Sequence, residues 1–182
     1  MDRFTNKAEE ALRLAAEVSE ELEHLYVGSE HILIGLLQEG TGVAAVVLES
    51  HGITQEKLLE LVSRLIAPAS QVGMAEPGGY TPRAARILER SYREAVRFHS
   101  ELIGTEHLLI AILKDSECVA TRLLNTLHVN IPKMYMDILT AMGQEPEKGR
   151  EEAERMKGKN QGKSKTPVLD SYSRDLTELA RQ

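Results

Sequence analysis

The residues of this chain that could do chemistry form two matched sets. The tetrapeptide Gly28-Ser29-Glu30-His31 has its counterpart 76 residues later in Gly104-Thr105-Glu106-His107. Thr5 and Thr81 stand at the same offset, each at the start of a segment with apolar residues at helical spacing. The offset continues without a gap on both sides of these motifs, which indicates a tandem duplication.

The residue types in each set suit a ligand that carries both charges. A threonine at the N-cap of a helix stands beside unpaired N–H groups at the positive end of the helix dipole, which favours an anion such as phosphate. Glu30 and Glu106 each lie one position into another helix, where the dipole favours a carboxylate that could also meet a cation. If the two helix N-termini of one repeat approach each other, they form a pocket with two opposite charges. The alternative is that Thr5, Thr81 and both glutamates only stabilise helix ends.

Metal binding and catalysis find little support in the other reactive residues. Adjacent helical residues point about 100° apart, so a Glu-His pair offers at most one ligand in a given direction, and we predict no metal site. His31 and His107 are interpreted as histidines of the core or of a helix end. Cys118, beside two apolar residues, is interpreted as a small buried hydrophobe. No nucleophile–base pair is recognisable, so we predict no catalytic residue.

One stretch resembles a nucleotide-binding loop without meeting its requirements. The segment Gly158-Lys159-Asn160-Gln161-Gly162-Lys163-Ser164 is one residue shorter than a P-loop. No apolar strand precedes it and no apolar helix follows, so its backbone could not be held around a phosphate. We therefore expect no cofactor in this chain.

Composition limits the classes of function. With 42% hydrophobic and 27% charged residues, the 182-residue chain is typical of a globular protein with one core. Its net charge of −6 argues against nucleic-acid binding, which needs a basic face. The single cysteine fits a reducing compartment, and there is no apolar run of membrane-spanning length. We expect a cytoplasmic protein with neither nucleic-acid nor membrane partners.

Helical periodicity predicts four helices in each repeat. In the first repeat Thr5, Ser29 and Thr54 are predicted to cap the first, second and fourth helices, and the third is predicted over Val43–Ser50. In the second repeat Thr81 caps a helix with Pro82 at its first position, and three more helices are predicted near 106–114, 117–127 and 131–142. The predicted fold is all-α: two tandem four-helix repeats packed as one pseudo-two-fold domain.

Breaks in periodicity divide the chain further. The two repeats are predicted to occupy residues 1–67 and 80–143, with a Pro- and Gly-rich linker at 68–79. Residues 144–165 are charged and without an apolar period, which indicates a flexible linker. Residues 166–182 begin a new element that contains a short predicted helix, 171–181.

These motifs together resemble a known family. Phe4-Thr5, the two Gly-Ser/Thr-Glu-His motifs and Tyr80-Thr81-Pro82-Arg83-Ala84, in this order, resemble the double Clp-repeat N-terminal domain of Clp-type AAA+ unfoldases, and most of all the ClpC group. The resemblance covers about residues 3–143. The segment 166–177 is similar to the one that leads into the first ATPase domain of these proteins, so 166–182 is expected to be the lead-in to an ATPase domain that the chain lacks.

The resemblance implies a docking module rather than an enzyme. Such a domain receives client proteins and adaptor proteins, and the ATPase rings of the intact protein feed the client to a ClpP-type peptidase. Domains of the ClpC type also recognise phosphoarginine as a degradation mark. By motif position Thr5 and Thr81 would bind the phosphate, and Glu30 and Glu106 the guanidinium. The alternatives are a ClpB-like disaggregase domain that binds apolar segments, and a purely structural or regulatory module.

Overall fold

Eight α-helices make up the part of the chain that the computed structural model describes, residues 3–65 and 79–143. No strand occurs among these residues, which confirms the all-α prediction. The predicted linker 144–165 and the predicted ATPase lead-in 166–182 lie outside the described residues, as does the predicted linker 68–79 apart from Gly79. The helices are α1 (Asn6–Glu21), α2 (Ser29–Glu39), α3 (Val43–Ser50), α4 (Gln55–Leu65), α5 (Pro82–Arg97), α6 (Thr105–Lys114), α7 (Val119–Thr126) and α8 (Ile131–Ala141).

Threonine caps begin three of these helices, as the sequence predicts. The hydroxyl of Thr5 accepts a hydrogen bond from the backbone N–H of Ala8, and that of Thr81 accepts one from Ala84, both at 3.1 Å. Thr54 caps α4 in the same way, at 3.2 Å from the nitrogen of Lys57. The two helices α1 and α5 therefore start at equivalent points of the two repeats.

The core is built around α2 and α6, the two helices that carry the Glu-His motifs. Every residue of α2 from Ser29 to Leu37 is buried, and so is nearly all of α6. α2 packs against α1, α3 and α4 of its own repeat and against α5, α6 and α7 of the other. α6 packs against α5, α7 and α8, and against α1, α2 and α3 across the repeat boundary. The two repeats thus share one core.

A close helix crossing distinguishes the first repeat from the second. A methyl group on Gly35 of α2 would overlap the carbonyl oxygen of Ala11 in α1, so these two backbones approach as only glycine allows. The equivalent position in α6 is Ala111, which is fully buried. Repeat two therefore accommodates a side chain where repeat one does not.

Two short backbone bridges tie the repeats together. Phe4 pairs with Ile103, and Val27 pairs with Tyr80, each as an isolated parallel bridge. In both bridges the residue just before a threonine cap meets the residue just before a Gly-Ser/Thr-Glu-His motif. The two bridges are thus equivalent under the pseudo-two-fold relation between the repeats.

The role predicted for Ser29 is wrong. Gly28 is the N-cap of α2, and the hydroxyl of Ser29 instead accepts from the backbone N–H of Ala120 at 3.0 Å, in the first turn of α7. Thr105 occupies the equivalent position in α6, and its hydroxyl lies 3.4 Å from the nitrogen of Ala44 in the first turn of α3. Each repeat therefore caps the third helix of the other.

No single helix in the described ranges is long and apolar enough to cross a membrane, although α2 and α3 taken together, bent by 94°, reach that length and composition.

Candidate functional site

Two helix N-termini meet at each of two places on the repeat interface. The backbone N–H of Thr5 donates to the carbonyl of Ile103 at 2.9 Å, so the cap of α1 lies beside the segment that enters α6. The N–H of Thr81 donates to the carbonyl of Val27 at 2.9 Å, so the cap of α5 lies beside the entrance of α2. We call these places the Thr5–Glu106 site and the Thr81–Glu30 site.

The pairing crosses the repeats. The sequence suggested a pocket between the two helix N-termini of one repeat, but the structure brings Thr5 of repeat one to the Glu106 end of repeat two, and Thr81 to the Glu30 end of repeat one. Each pair thus consists of one threonine cap and one glutamate that come from different copies, and not from one repeat as the sequence predicts.

Each carboxylate lies against the glycine that is the N-cap of its own helix. A methyl group on Gly28 would lie 2.5 Å from Oε1 of Glu30, and one on Gly104 would lie 2.5 Å from Oε1 of Glu106. Real Cβ atoms do not come this close to an oxygen, so a side chain here would move the flexible glutamate carboxylate from this position. Gly28 and Gly104 therefore lie directly beside the two carboxylates, a placement that the sequence analysis did not predict. The signal was present, because glycine stands two residues before the glutamate in both copies.

The two carboxylates differ in burial. Glu30 is 8% exposed, whereas Glu106 is only partly buried. Burial raises the pKa of Glu30, and a hydrogen bond from its own backbone N–H partly opposes this rise. Glu106 is consequently the more accessible of the two carboxylates.

The threonine-capped helix N-terminus also differs between the sites. The first N–H groups of a helix have no acceptor within the helix, so α1 presents those of Asn6 and Lys7. In α5 the first position is Pro82, which has no N–H, and the first free donor is that of Arg83. The Thr5–Glu106 site therefore offers one more backbone donor to an anion.

The histidines serve as helix-end residues, as predicted. Nδ1 of His31 accepts from the backbone N–H of Gly28 at 2.9 Å, and Nδ1 of His107 accepts from Gly104 at the same distance. Nε2 of His31 lies 2.7 Å from Nδ1 of His24. Burial, and next the neighbouring His24, lower the pKa of His31 to about 4, so its ring is neutral at pH 7.

The second histidine lacks this partner. Nε2 of His107 has no hydrogen-bond partner among the residues that the structure describes, and its ring stacks on Phe98 with 6.4 Å between centroids. The position equivalent to His24 is Ser100. Burial lowers the pKa of His107, and the nearby Glu106 and Glu94 oppose this shift.

Cys118 is buried, as predicted. Its sulfur lies 3.3 Å from the hydroxyl of Thr121, and burial raises the pKa of the thiol. Within residues 3–65 and 79–143 no group of three or more His, Cys, Asp or Glu side chains is arranged to hold a metal ion.

The interlocked repeats with paired helix N-termini define a class of protein, an all-α double-repeat domain. Comparison with known proteins identifies the family: the model of the Clp repeat (R) N-terminal domain matches residues 3–127 and 80–182. The chain belongs to the Clp repeat N-terminal domain family. Such a domain is a non-catalytic module of Clp ATPases, so this chain is not itself an enzyme.

Among curated proteins, the chain is similar to the ATP-dependent Clp protease ATP-binding subunit ClpC of Staphylococcus aureus. The two are 39% identical over 180 residues, which is 98% of this chain and 21% of ClpC. The chain thus spans about a fifth of the length of that relative. The predicted resemblance to the ClpC group is confirmed.

Solved structures share the fold. The N-terminal domain of ClpD from Arabidopsis thaliana matches with a TM-score of 0.64 and 22% identity, over 78% of this chain and 98% of that one. A ClpV N-domain in complex with a VipB peptide matches with a TM-score of 0.61 and 17% identity, over 78% of this chain and 86% of that one. At these identities the likeness concerns the fold alone.

Proposed function

We propose that this chain is the receptor domain of an ATP-dependent protein unfoldase, and that it binds phosphoarginine-marked clients at the Thr5–Glu106 and Thr81–Glu30 sites. In the intact protein it would also dock adaptor proteins in the cytoplasm, and the ATPase rings would pass clients to a ClpP-type peptidase. The similarity to ClpC supports the unfoldase, and the ClpV N-domain offers a related fold that holds a peptide.

One observation carries the phosphoarginine proposal: each site places a threonine-capped helix N-terminus beside a glutamate at the start of another helix. A phosphoarginine has a dianionic phosphoryl group attached to a guanidinium that keeps N–H donors. The helix N-terminus suits the phosphoryl group, and the carboxylate suits the guanidinium. A plain phosphate or a plain arginine would use only half of the site.

The test is titration calorimetry with a phosphoarginine peptide and its unmodified arginine twin. Glu30→Ala together with Glu106→Ala should leave the protein folded and abolish the preference for the phosphorylated peptide. Each lost charge-assisted hydrogen bond costs about 1.5–3 kcal/mol, or roughly 10- to 150-fold in affinity per site. The fold should lose only about 0.3–1 kcal/mol for each helix-dipole contact removed.

The matched control is Glu56→Ala. Glu56 occupies the same second helical position, behind the threonine cap of α4, but it is exposed and belongs to neither site. It should not affect peptide binding. If the double variant binds the phosphorylated peptide as tightly as the parent, or unfolds, the two glutamates are helix-end stabilisers and the structural alternative holds. Equal binding of both peptides, displaced by an apolar peptide, would favour the ClpB-like alternative.

A second variant tests the phosphate side alone. Asn6→Pro gives α1 the proline that α5 has at this position, and proline is well tolerated there, so the helix should persist while one backbone donor is removed. We expect weaker phosphoarginine binding at the Thr5–Glu106 site and unchanged binding at the Thr81–Glu30 site. A variant that binds two equivalents as tightly as the parent would contradict the assignment of the phosphate to the helix N-terminus.

A further inference from the structure

A stripe of arginines runs along one face of α5, beginning at Arg83 beside the Thr81–Glu30 site and leading away from it along the helix. Arg83, Arg86, Arg90 and Arg93 follow each other at spacings of three and four residues, which places them on one side of the helix. With Lys114 of α6 they line an open groove of about 350 Å³. We call this groove the arginine groove.

Three of its cations are not neutralised by any residue that the structure describes. Arg83 forms an ion pair with Asp115 at 2.9 Å, and Lys114 forms one with Glu94 at 2.9 Å. Arg86, Arg90 and Arg93 have no hydrogen bond or ion pair to any residue in the described ranges. Glu89 also lines the groove, and its negative charge reduces the three unpaired positive charges to a surplus of two.

The first repeat has no cation at the equivalent positions, and two of the three are glutamates. Glu10, Leu14 and Glu17 stand where Arg86, Arg90 and Arg93 stand in repeat two. Arg13 between them pairs with both Glu10 and Glu17, so that face neutralises its own cation. The fold therefore does not require the arginines, and a basic surface exists in only one copy of an otherwise acidic chain.

We propose that the arginine groove is a docking surface for an acidic peptide segment of a partner protein. From Arg83 to Arg93 the stripe is about 15 Å long, which matches about five residues of extended chain. A segment with three or more carboxylates in that length would place one opposite each unpaired guanidinium, where bidentate pairing is available. This proposal deepens the adaptor-docking part of the proposed function and rests on it, but it does not depend on phosphoarginine binding.

An acidic peptide fits this groove better than a nucleic acid does. Single-stranded nucleic acids bind to basic grooves that also offer aromatic side chains for base stacking, and no aromatic side chain lines this one. The net charge of −6 also repels a long polyanion, while a short segment feels mainly the local surplus of positive charge.

The test is fluorescence anisotropy with a labelled octaglutamate peptide, its octaglutamine twin and an eight-nucleotide single-stranded DNA. The parent should bind octaglutamate, less tightly as salt rises, and should not bind octaglutamine. Arg86→Glu, Arg90→Glu and Arg93→Glu together should weaken octaglutamate binding by about tenfold or more. Lys57→Glu, Arg64→Glu and Lys133→Glu change the net charge equally elsewhere on the surface and should weaken it much less.

The phosphoarginine titration is run on the same proteins, so that the two proposals fail separately. The triple arginine variant should keep phosphoarginine binding, and the Glu30→Ala/Glu106→Ala variant should keep octaglutamate binding. If charge reversal unfolds the protein, Arg→Gln at the three positions provides the comparison. Tighter binding of the DNA than of octaglutamate, binding lost equally in the control variant, or no binding by the parent would overturn the proposal.

Discussion

The pKa of His31, the histidine that follows Glu30, lies well below its ordinary value. His31 is buried, accepts from Gly28 through Nδ1 and contacts His24 through Nε2, and its pKa falls to about 4. A free histidine has a pKa of about 6.5, so the unfolded chain binds the proton more readily than the folded one. By linkage, stability is complete above about pH 6.5 and declines as the pH falls towards 4.

The difference between the pKa of His31 in the folded protein and in the unfolded chain predicts the effect of His31→Asn. The asparagine Oδ1 can still accept from Gly28, but the side chain does not titrate. The parent should lose about 3 kcal/mol of unfolding free energy between pH 6.5 and 4 through this group, and the variant should not. The raised pKa of Glu30 acts in the opposite direction, since the folded state then takes up its proton more readily, but it is common to both proteins. Urea unfolding across this pH range measures the difference.

The control is His128→Asn, at an exposed position whose left-handed backbone, with φ of 64°, asparagine tolerates. Its unfolding free energy should follow that of the parent across the same range. Parallel curves for the parent and His31→Asn would show that His31 does not resist protonation in the folded state.

At the scale of helices, the exchange of caps joins the repeats. α7 has no capping side chain of its own at Cys118, and α3 has none at Gly42. Both helices receive a hydroxyl from the other repeat instead. An uncapped N–H buried inside the protein is costly, since water cannot replace the lost acceptor. The third helix of each repeat therefore depends on the second helix of the other.

Removing these hydroxyls should destabilise the protein. Ser29→Ala leaves the buried N–H of Ala120 without an acceptor and should cost about 1 kcal/mol of unfolding free energy. Thr105→Val should cost less, because the distance from Thr105 to Ala44 is 3.4 Å rather than 3.0 Å. Thr126→Ala, which removes an exposed hydroxyl within α7, serves as the control in denaturant unfolding. Equal costs for Ser29→Ala and Thr126→Ala would argue against the cross-repeat cap.

Local signals explain what could be predicted from the sequence. The caps at Thr5, Thr54 and Thr81 and the apolar periodicity act within a few residues, and the helices they predict are present. The pairing of the copies could not be predicted, because each Gly-Ser/Thr-Glu-His motif fits the threonine cap of either repeat equally well. Ser29 was misassigned for the same reason: a serine before a helix is a good local cap, and its actual partner, Ala120, is 91 residues away.

At the scale of the whole molecule, the shared core makes the two repeats interdependent. α2 and α6 each bury side chains against helices of both copies, so a single repeat would expose part of its apolar surface and both bridge segments. Apolar surface contributes about 25 cal/mol per Å² on burial, and a repeat of this size has little margin to lose.

Separate chains of residues 3–65 and 79–143 test this interdependence. Neither should fold as a monomer, and an equimolar mixture should regain the helical circular dichroism and cooperative melting of the intact chain. Size-exclusion chromatography with light scattering gives the stoichiometry. Cooperative unfolding of either piece as a monomer would mean that the shared core is dispensable.

The reciprocal bridges have the geometry of an isologous homodimer whose two chains have become one. Phe4 meets Ile103 as Tyr80 meets Val27, which is a single contact made twice, once in each direction. In a true homodimer every substitution appears on both sides of the axis at once. In the fused chain each half can change alone. The halves differ at the position that is His24 in the first repeat and Ser100 in the second. They also differ on the helix face that is acidic in α1 and carries the arginine stripe in α5. Fusion allows a symmetric domain to acquire two unlike sides.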